Sequence, residues 1–454
     1  MKSDKTKRYI KKLSSTQIVL LGFLIIILSG SVLLWLPISS ASGKSVPYVD
    51  ALFTATTATC VTGLVTLHTV TTWSIFGQVV ILFLIQAGGL GVITVASGIM
   101  VMLGKKIGID NRILIQDSFN LNSLSGIVKF IKKVIIGTFA IEGIGALFYM
   151  TVFIPDFGIK GIWISIFNSV SAFCNAGIDI ISENSLCDYA LNPIINLTTS
   201  LLIIFGGIGY VVWWDVARII KDKKRRHFKF LTLNSKIALS VTAFLIIIGA
   251  VLFFIFEYNN PLTMQNYTLL EKIEASLFQS VTTRTAGFAT IPQEDLTNSS
   301  AVISLLLMFI GGSPVGTAGG IKTVTFLVLF ASAVSVIKNK RTVDVFNRQI
   351  SEKSIKKAMA VFTTSFTVML LSTILLSAVS NADFLDVIYE TVSATATVGL
   401  TRNFTSTLNT AGKFIIIATM YFGRVGPISL AIAFNIKKSS KNIVVNPVEE
   451  INVG

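Results

Sequence analysis

Charge is scarce in this chain. Only 13% of its 454 residues are Asp, Glu, Lys or Arg, where a soluble domain carries about 25%. With 52% apolar residues and a mean hydropathy of +0.74, the composition excludes a water-soluble globular fold. Histidine is almost missing, with only His68 and His227 at different faces, and no Ser/His/Asp set or metal-ligand cluster appears. No phosphate-cradling sequence is present either. Gly43-Lys44-Ser45 would need a glycine at position 38, which is Ile38. These absences argue against an enzyme. The three cysteines, Cys60, Cys174 and Cys187, show no CxxC spacing, which points to neither a metal site nor a disulfide framework.

What the chain does have is long apolar runs. Eight are expected to span a bilayer, over about 18 to 36, 75 to 103, 133 to 154, 194 to 217, 237 to 256, 301 to 337, 358 to 380 and 413 to 436. The net charge of +15 would suggest nucleic acid in a soluble protein, but its distribution reads as topology. Lys and Arg gather before the first run (Lys2 to Lys12), between the second and third (Lys105 to Lys133) and between the fourth and fifth (Arg218 to Lys236). They gather again between the sixth and seventh (Lys338 to Lys357) and after the eighth (Lys437, Lys438, Lys441). Alternate loops that rich in basic residues are cytoplasmic, and so are both termini. The chain is therefore expected in the cell membrane, with the lipid bilayer as its surroundings and no nucleic acid partner. The first run, at about 19 residues, is longer than the roughly 7 to 15 of a signal-peptide core and is read as an uncleaved span.

A short pattern recurs four times. Thr59-Cys60-Val61-Thr62-Gly63-Leu64, Phe173-Cys174-Asn175-Ala176-Gly177-Ile178, Thr283-Arg284-Thr285-Ala286-Gly287-Phe288 and Thr395-Ala396-Thr397-Val398-Gly399-Leu400 each set a glycine before an apolar residue. The glycines lie 114, 110 and 112 residues apart, the mark of an internal repeat. The corresponding units are 1–103, 104–220, 221–337 and 338–454. Each pattern follows a segment too short to cross a bilayer: Val46 to Thr59, Ile162 to Phe173, Leu269 to Thr283 and Asp383 to Thr395. A short helix followed by permissive backbone reads as a re-entrant helix with an extended return. The third copy is one residue shorter between Phe278 and Gly287 than its counterparts, so a departure from fourfold symmetry is expected there.

Non-helical backbone at membrane depth survives only where protein buries it or it lines water. Four such segments are thus expected to converge on one axis. Rings of carbonyls around an axis can replace a cation's hydration shell, and glycine lets successive carbonyls point one way. Each short helix would aim its partially negative C-terminus at that axis.

The second run of each unit also carries a shared motif: Gly88-Gly89-Leu90-Gly91, Gly206-Gly207-Ile208-Gly209, Gly311-Gly312-Ser313-Pro314 and Gly423-Arg424-Val425-Gly426-Pro427. In the third unit it expands into Gly311-Gly312-Ser313-Pro314-Val315-Gly316-Thr317-Ala318-Gly319-Gly320 before Ile321-Lys322, which a helix cannot traverse without unwinding. In the fourth, Arg424 stands where the others have Gly89, Gly207 and Gly312. It lies too deep in its apolar run to reach an interface, and a pore-facing role is expected.

At these residues the chain resembles the superfamily of K+ transporters comprising Trk, Ktr and plant HKT proteins, over essentially its whole length. The fold that this implies is an all-α polytopic membrane protein of four membrane–pore–membrane repeats, with eight transmembrane helices and four re-entrant pore helices around a central pore. The resemblance implies a selectivity filter at Val61, Thr62, Gly63, Asn175, Ala176, Gly177, Thr285, Ala286, Gly287, Thr397, Val398 and Gly399, with K+ as the ion held there. It implies a gate built from Gly311, Gly312, Ser313, Gly316, Gly319, Gly320, Lys322 and Arg424. Gly63, rather than the serine of Na+-selective plant relatives, favours K+. Ktr-type membrane subunits are the nearest in plan. They imply a homodimer on a cytosolic ring of nucleotide-binding RCK/KTN subunits (KtrA- or KtrC-like), with Na+ as activator or co-ion and no other cofactor. A non-selective or Na+-conducting protein of the same fold is the alternative, and a rocking secondary transporter a more remote one.

Four further features are open at this level. Lys322 closes the broken loop as a cap for unwound carbonyls or as a gating contact. Glu142 is intramembrane and calls for an interhelical hydrogen bond. Arg284, a cation beside a cation path, is expected to point away and pair behind the filter. The run Lys221 to His227 reads as a headgroup anchor or as a dock for a regulatory ring.

Overall fold

The computed structural model describes residues 14–102, 108–118, 126–222 and 227–426. The basic stretch 1–13, Lys105 and Lys106, residues 223–226 of the basic run, Pro427, the end of the run 413 to 436 and the tail to 454 lie outside the described residues.

The chain runs first through α1 (Ser15–Trp35), α2 (Tyr48–Cys60), α3 (Ile75–Leu90) and α4 (Val92–Met102). The next quarter holds α5 (Ile109–Ser118), α6 (Ile127–Phe157), α7 (Lys160–Cys174), α8 (Pro193–Ile208) and α9 (Tyr210–Lys221). Then come α10 (Leu233–Glu257), α11 (Leu269–Thr282), α12 (Asn298–Phe309) and α13 (Thr323–Ile337). The last quarter holds α14 (Glu352–Val379), α15 (Phe384–Ala396) and α16 (Thr410–Val425). A hairpin of two-residue strands, Asp344–Val345 paired with Arg348–Gln349, qualifies the all-α expectation.

Four times, then, a long helix leads to a short helix, a glycine stretch and a second helix. Among the described residues α1, α6, α10 and α14 are long and apolar enough to cross a membrane. Only about a third of each is buried in the protein. The rest points large apolar side chains outward, Ile25, Ile136, Leu147, Ile247 and Ile374 all being more than 60% exposed. In water that surface would drive aggregation, whereas in lipid it is the required outer face.

Each short helix, α2, α7, α11 and α15, packs against the long helix before it, with bounds within two residues of those expected. Their C-terminal halves are largely buried, and Phe53, Phe167, Phe278 and Tyr389 are fully so. The second helices all start on a polar cap. Ser74, Asn192, Thr297 and Asn409 accept backbone N–H groups of the first turn, satisfying donors with no helical partner.

The runs 75 to 103 and 194 to 217, expected as single spans, are each broken. Gly91 (φ +84°) separates α3 from α4, and Gly209 (φ +97°) separates α8 from α9, which turns by 96°. α16 also ends at such a residue, Gly426 (φ +89°). A left-handed glycine terminates a helix however apolar its surroundings, because the next N–H no longer reaches the carbonyl four residues back. Between α12 and α13 the chain is unwound from Ile310 to Lys322, as expected.

Candidate functional site

The site begins at the ends of the short helices. The residue two before each glycine is left-handed: Val61 (φ +55°), Asn175 (φ +60°), Thr285 (φ +65°) and Thr397 (φ +51°). In three stretches the following N–H reaches back five residues, from Thr62 to Thr57 O, Ala176 to Ser171 O and Val398 to Ser393 O. The third stretch, shorter by a residue, closes instead with a four-residue bond from Ala286 N to Thr282 O. The expected asymmetry is absorbed by one tighter turn.

Hydroxyls then hold the returning strands. Gly63 N donates to Thr57 Oγ1 and Gly399 N to Ser393 Oγ, both at 3.0 Å, and Ile178 N donates to Ser171 Oγ at 3.1 Å. These hydroxyls recur six residues before their glycines, a signal legible in the sequence but not used above.

The four strands meet. A Cβ on Gly63 would collide with Ala176 O, one on Gly177 with Ala286 O, one on Gly287 with Val398 O, and one on Gly399 with Thr62 O. Each glycine thus abuts the carbonyl just before the glycine of the next stretch, and the fourth returns to the first. The ring is closed, and all four glycines have positive φ. Val61, Thr62, Asn175, Ala176, Thr285, Ala286, Thr397 and Val398 are buried around it.

The unwound loop lies directly against this ring. Ser313 N donates to Gly207 O and Thr317 N to Gly206 O, while Tyr210 N donates to Val315 O. The loop is therefore docked on the break between α8 and α9, a contact not legible in the sequence. The Thr317 hydroxyl is 2.8 Å from Asn175 Oδ1, and Gly319 N donates to Thr285 Oγ1 at 3.2 Å. Ser313 Oγ and Thr323 Oγ1, 3.0 Å apart, pin the two ends of the loop together. Gly311 and Gly320 pack backbone to backbone there, and Gly312 and Gly316 approach Gly207 O and Gly206 O, leaving no room for side chains.

Two cations hold the loop's last carbonyls. Arg424 Nη1 donates to Thr317 O and Nη2 to Gly88 O. Lys322 Nζ donates to Ala318 O at 2.6 Å and to Gly319 O at 3.3 Å, so it caps unwound carbonyls. Arg284 points away from the ring, its guanidinium on Thr242 O and Gly311 O. Glu142 accepts from Gln86 Nε2 at 3.3 Å and from the Cys174 thiol, behind the second stretch.

Residues 2–445 match the TrkH family, described as a cation transport protein. The chain belongs to that family. The chain is 39% identical to the Ktr system potassium uptake protein B of Bacillus subtilis, covering 100% of both chains. It is also 39% identical to the potassium/sodium uptake protein NtpJ of Enterococcus hirae, over 95% of each. The fold resembles the crystal structure of the potassium transporter TrkH from Vibrio parahaemolyticus, with TM-score 0.71 and 19% identity, covering 92% of this chain and 84% of that one. Family and apolar helices together make this a multi-pass membrane protein.

Proposed function

We propose that this TrkH-family chain is the membrane subunit of a K+ uptake system, passing dehydrated K+ through the ring at Gly63, Gly177, Gly287 and Gly399. The observation that carries the reading is the closure of that ring, each glycine against a carbonyl of the next strand. Backbone oxygens so arranged substitute for water around a cation, and rigid left-handed turns behind them keep the oxygens from collapsing onto a smaller ion. The partially negative ends of four short helices point at the same place.

In this reading the eight spans and four re-entrant helices follow the repeat units 1–103, 104–220, 221–337 and 338–454, with both termini cytoplasmic. The loop 311–320, with Lys322 and Arg424, is the gate below the filter. A separate RCK/KTN nucleotide-binding ring releases it, beneath a homodimer of this chain, and Na+ acts as activator or co-ion. The names of the relatives, two for potassium and one for potassium with sodium, support K+ as the main cargo.

The test is Rb+ and K+ uptake, with Na+ as competitor, in a bacterium lacking its own K+ uptake systems. Wild type should rescue growth at low K+, and Gly63→Ser and Gly399→Ser should lose K+ preference, because a Cβ there displaces the neighbouring carbonyl. Retained preference in both variants, at normal expression, would remove the ring as the filter.

A further inference from the structure

Arg284 is buried, 6% exposed, in the third glycine stretch, and among the described residues no carboxylate pairs with it. A membrane-embedded cation without a counter-charge is expensive, and this one stands behind a ring of oxygens built to gather cations. Its hydrogen bonds show what it holds. Nη1 donates to Thr242 O of α10 and Nη2 to Gly311 O, both at 3.1 Å.

Gly311 is the first residue of the loop's glycine run, just past the end of α12, so its carbonyl belongs to unwound backbone with no helical partner. A guanidinium's fixed fork satisfies two such carbonyls at once. The next residue, Thr285, accepts from Gly319 N at the far end of the loop. Two consecutive residues of one strand thus grip both ends of the loop.

That strand is also held differently by its own short helix, the Thr282 hydroxyl donating to Phe288 O. Val281 stands where Thr57, Ser171 and Ser393 supply hydroxyls in the other stretches. The tighter turn after α11 leaves Arg284 and Thr285 facing the loop, with no backbone N–H of this strand bound to a helix hydroxyl as in the other three.

We propose that Arg284 is a positioning residue that ties the third filter strand to the base of the loop, so that displacing the loop deforms the filter and ion selection changes with gating. This rests on the filter-and-gate reading above. Neither Gly311 O nor Gly319 N can leave its place without loosening Arg284 or Thr285, and Thr285 carries the left-handed turn on which Ala286 and Gly287 depend.

The experiment measures total Rb+ flux and the Rb+ to Na+ uptake ratio, per folded protein in liposomes, for five proteins. They are wild type, Arg284→Gln, Arg284→Lys, a loop-shortened variant lacking residues 315 and 316, and Gly63→Ser as a filter control. Losing a charged donor to a carbonyl should raise flux and lower the ratio together, roughly tenfold each in Arg284→Gln. Arg284→Lys, which keeps a charged donor for one carbonyl, should recover part of both. The shortened loop should lower the ratio as well, although it alters no residue of the ring and keeps Thr317, the loop's hydroxyl contact to Asn175; if Arg284→Gln does not fold, this variant decides the coupling of loop and filter. Higher flux at an unchanged ratio in the shortened loop overturns the coupling while the filter stands. A lower ratio without higher flux in Arg284→Gln also overturns it. An unchanged ratio in Gly63→Ser overturns the filter reading itself, and the coupling with it.

Discussion

Arg424 and Thr317 are 107 residues apart, yet the Arg424 guanidinium donates to the Thr317 carbonyl. Its other arm donates to Gly88 O at the end of α3. One side chain therefore fastens the unwound loop to a different quarter of the molecule, from a position that is glycine in the other three. Lys322 holds the next two carbonyls, Ala318 O and Gly319 O, so three consecutive loop carbonyls are engaged by cations.

Removing that fastening should free the loop. A charged donor to a carbonyl contributes about 1.5 to 3 kcal/mol, so Arg424→Gln should raise Rb+ uptake in the absence of a cytosolic subunit roughly tenfold. Arg424→Lys should fall between. A drop in folded protein at unchanged flux per molecule would mark the arginine as structural only.

Thr317→Val is a milder version of the same test. It removes the hydroxyl that meets Asn175 Oδ1 and leaves a buried amide oxygen without that donor, at a cost of about 1 to 3 kcal/mol. Thermal unfolding in detergent should shift downward, and partner-independent flux should rise. A lower melting temperature with no change in flux would separate the loop's stability from gating.

Gly209→Ala tests whether the break between α8 and α9 is the dock for the loop. At φ +97° an alanine is strained, and its Cβ would press on Pro314 O. Loop and break must separate, which should raise flux. Gly143→Ala, whose Cβ meets nothing within 4 Å, should leave flux unchanged and serves as the control.

Lys413 and Asp50 form an ion pair between α16 and α2, both side chains under 20% exposed, and Thr66 also donates to the carboxylate. Lys413→Met leaves that carboxylate buried without its cation and should cost about 3 to 5 kcal/mol. Adding Asp50→Asn should return much of the loss, because the uncompensated charge is then gone. Melting temperatures of the two single variants and the double variant give the coupling. Additive losses would show that the pair contributes little.

Much of this molecule could be read directly from residue order. Four glycines at near-constant spacing, four short segments before them and a glycine run with a proline fix where the backbone must depart from a helix, since Gly and Pro act locally through φ and the missing N–H. The isolated Arg424 in an apolar run was equally legible, because burying a charge always demands a partner. The missing residue in the third stretch announced an asymmetry. What the sequence could not say is how that asymmetry is met, by a four-residue bond from Ala286 to Thr282, with Arg284 and Thr285 turned to the loop. The partners of Arg424, Arg284, Glu142 and Lys413 were also out of reach, because each comes from an element many residues away and three of the four are hydrogen-bonded through backbone carbonyls or neutral side chains that carry no charge pattern. The breaks at Gly91, Gly209 and Gly426 stood in plain view, but glycine in a membrane helix can equally serve packing. Only the tertiary structure decided among these, because a glycine's φ is set by what the chain beyond it must reach, here the loop lying against Gly206 and Gly207.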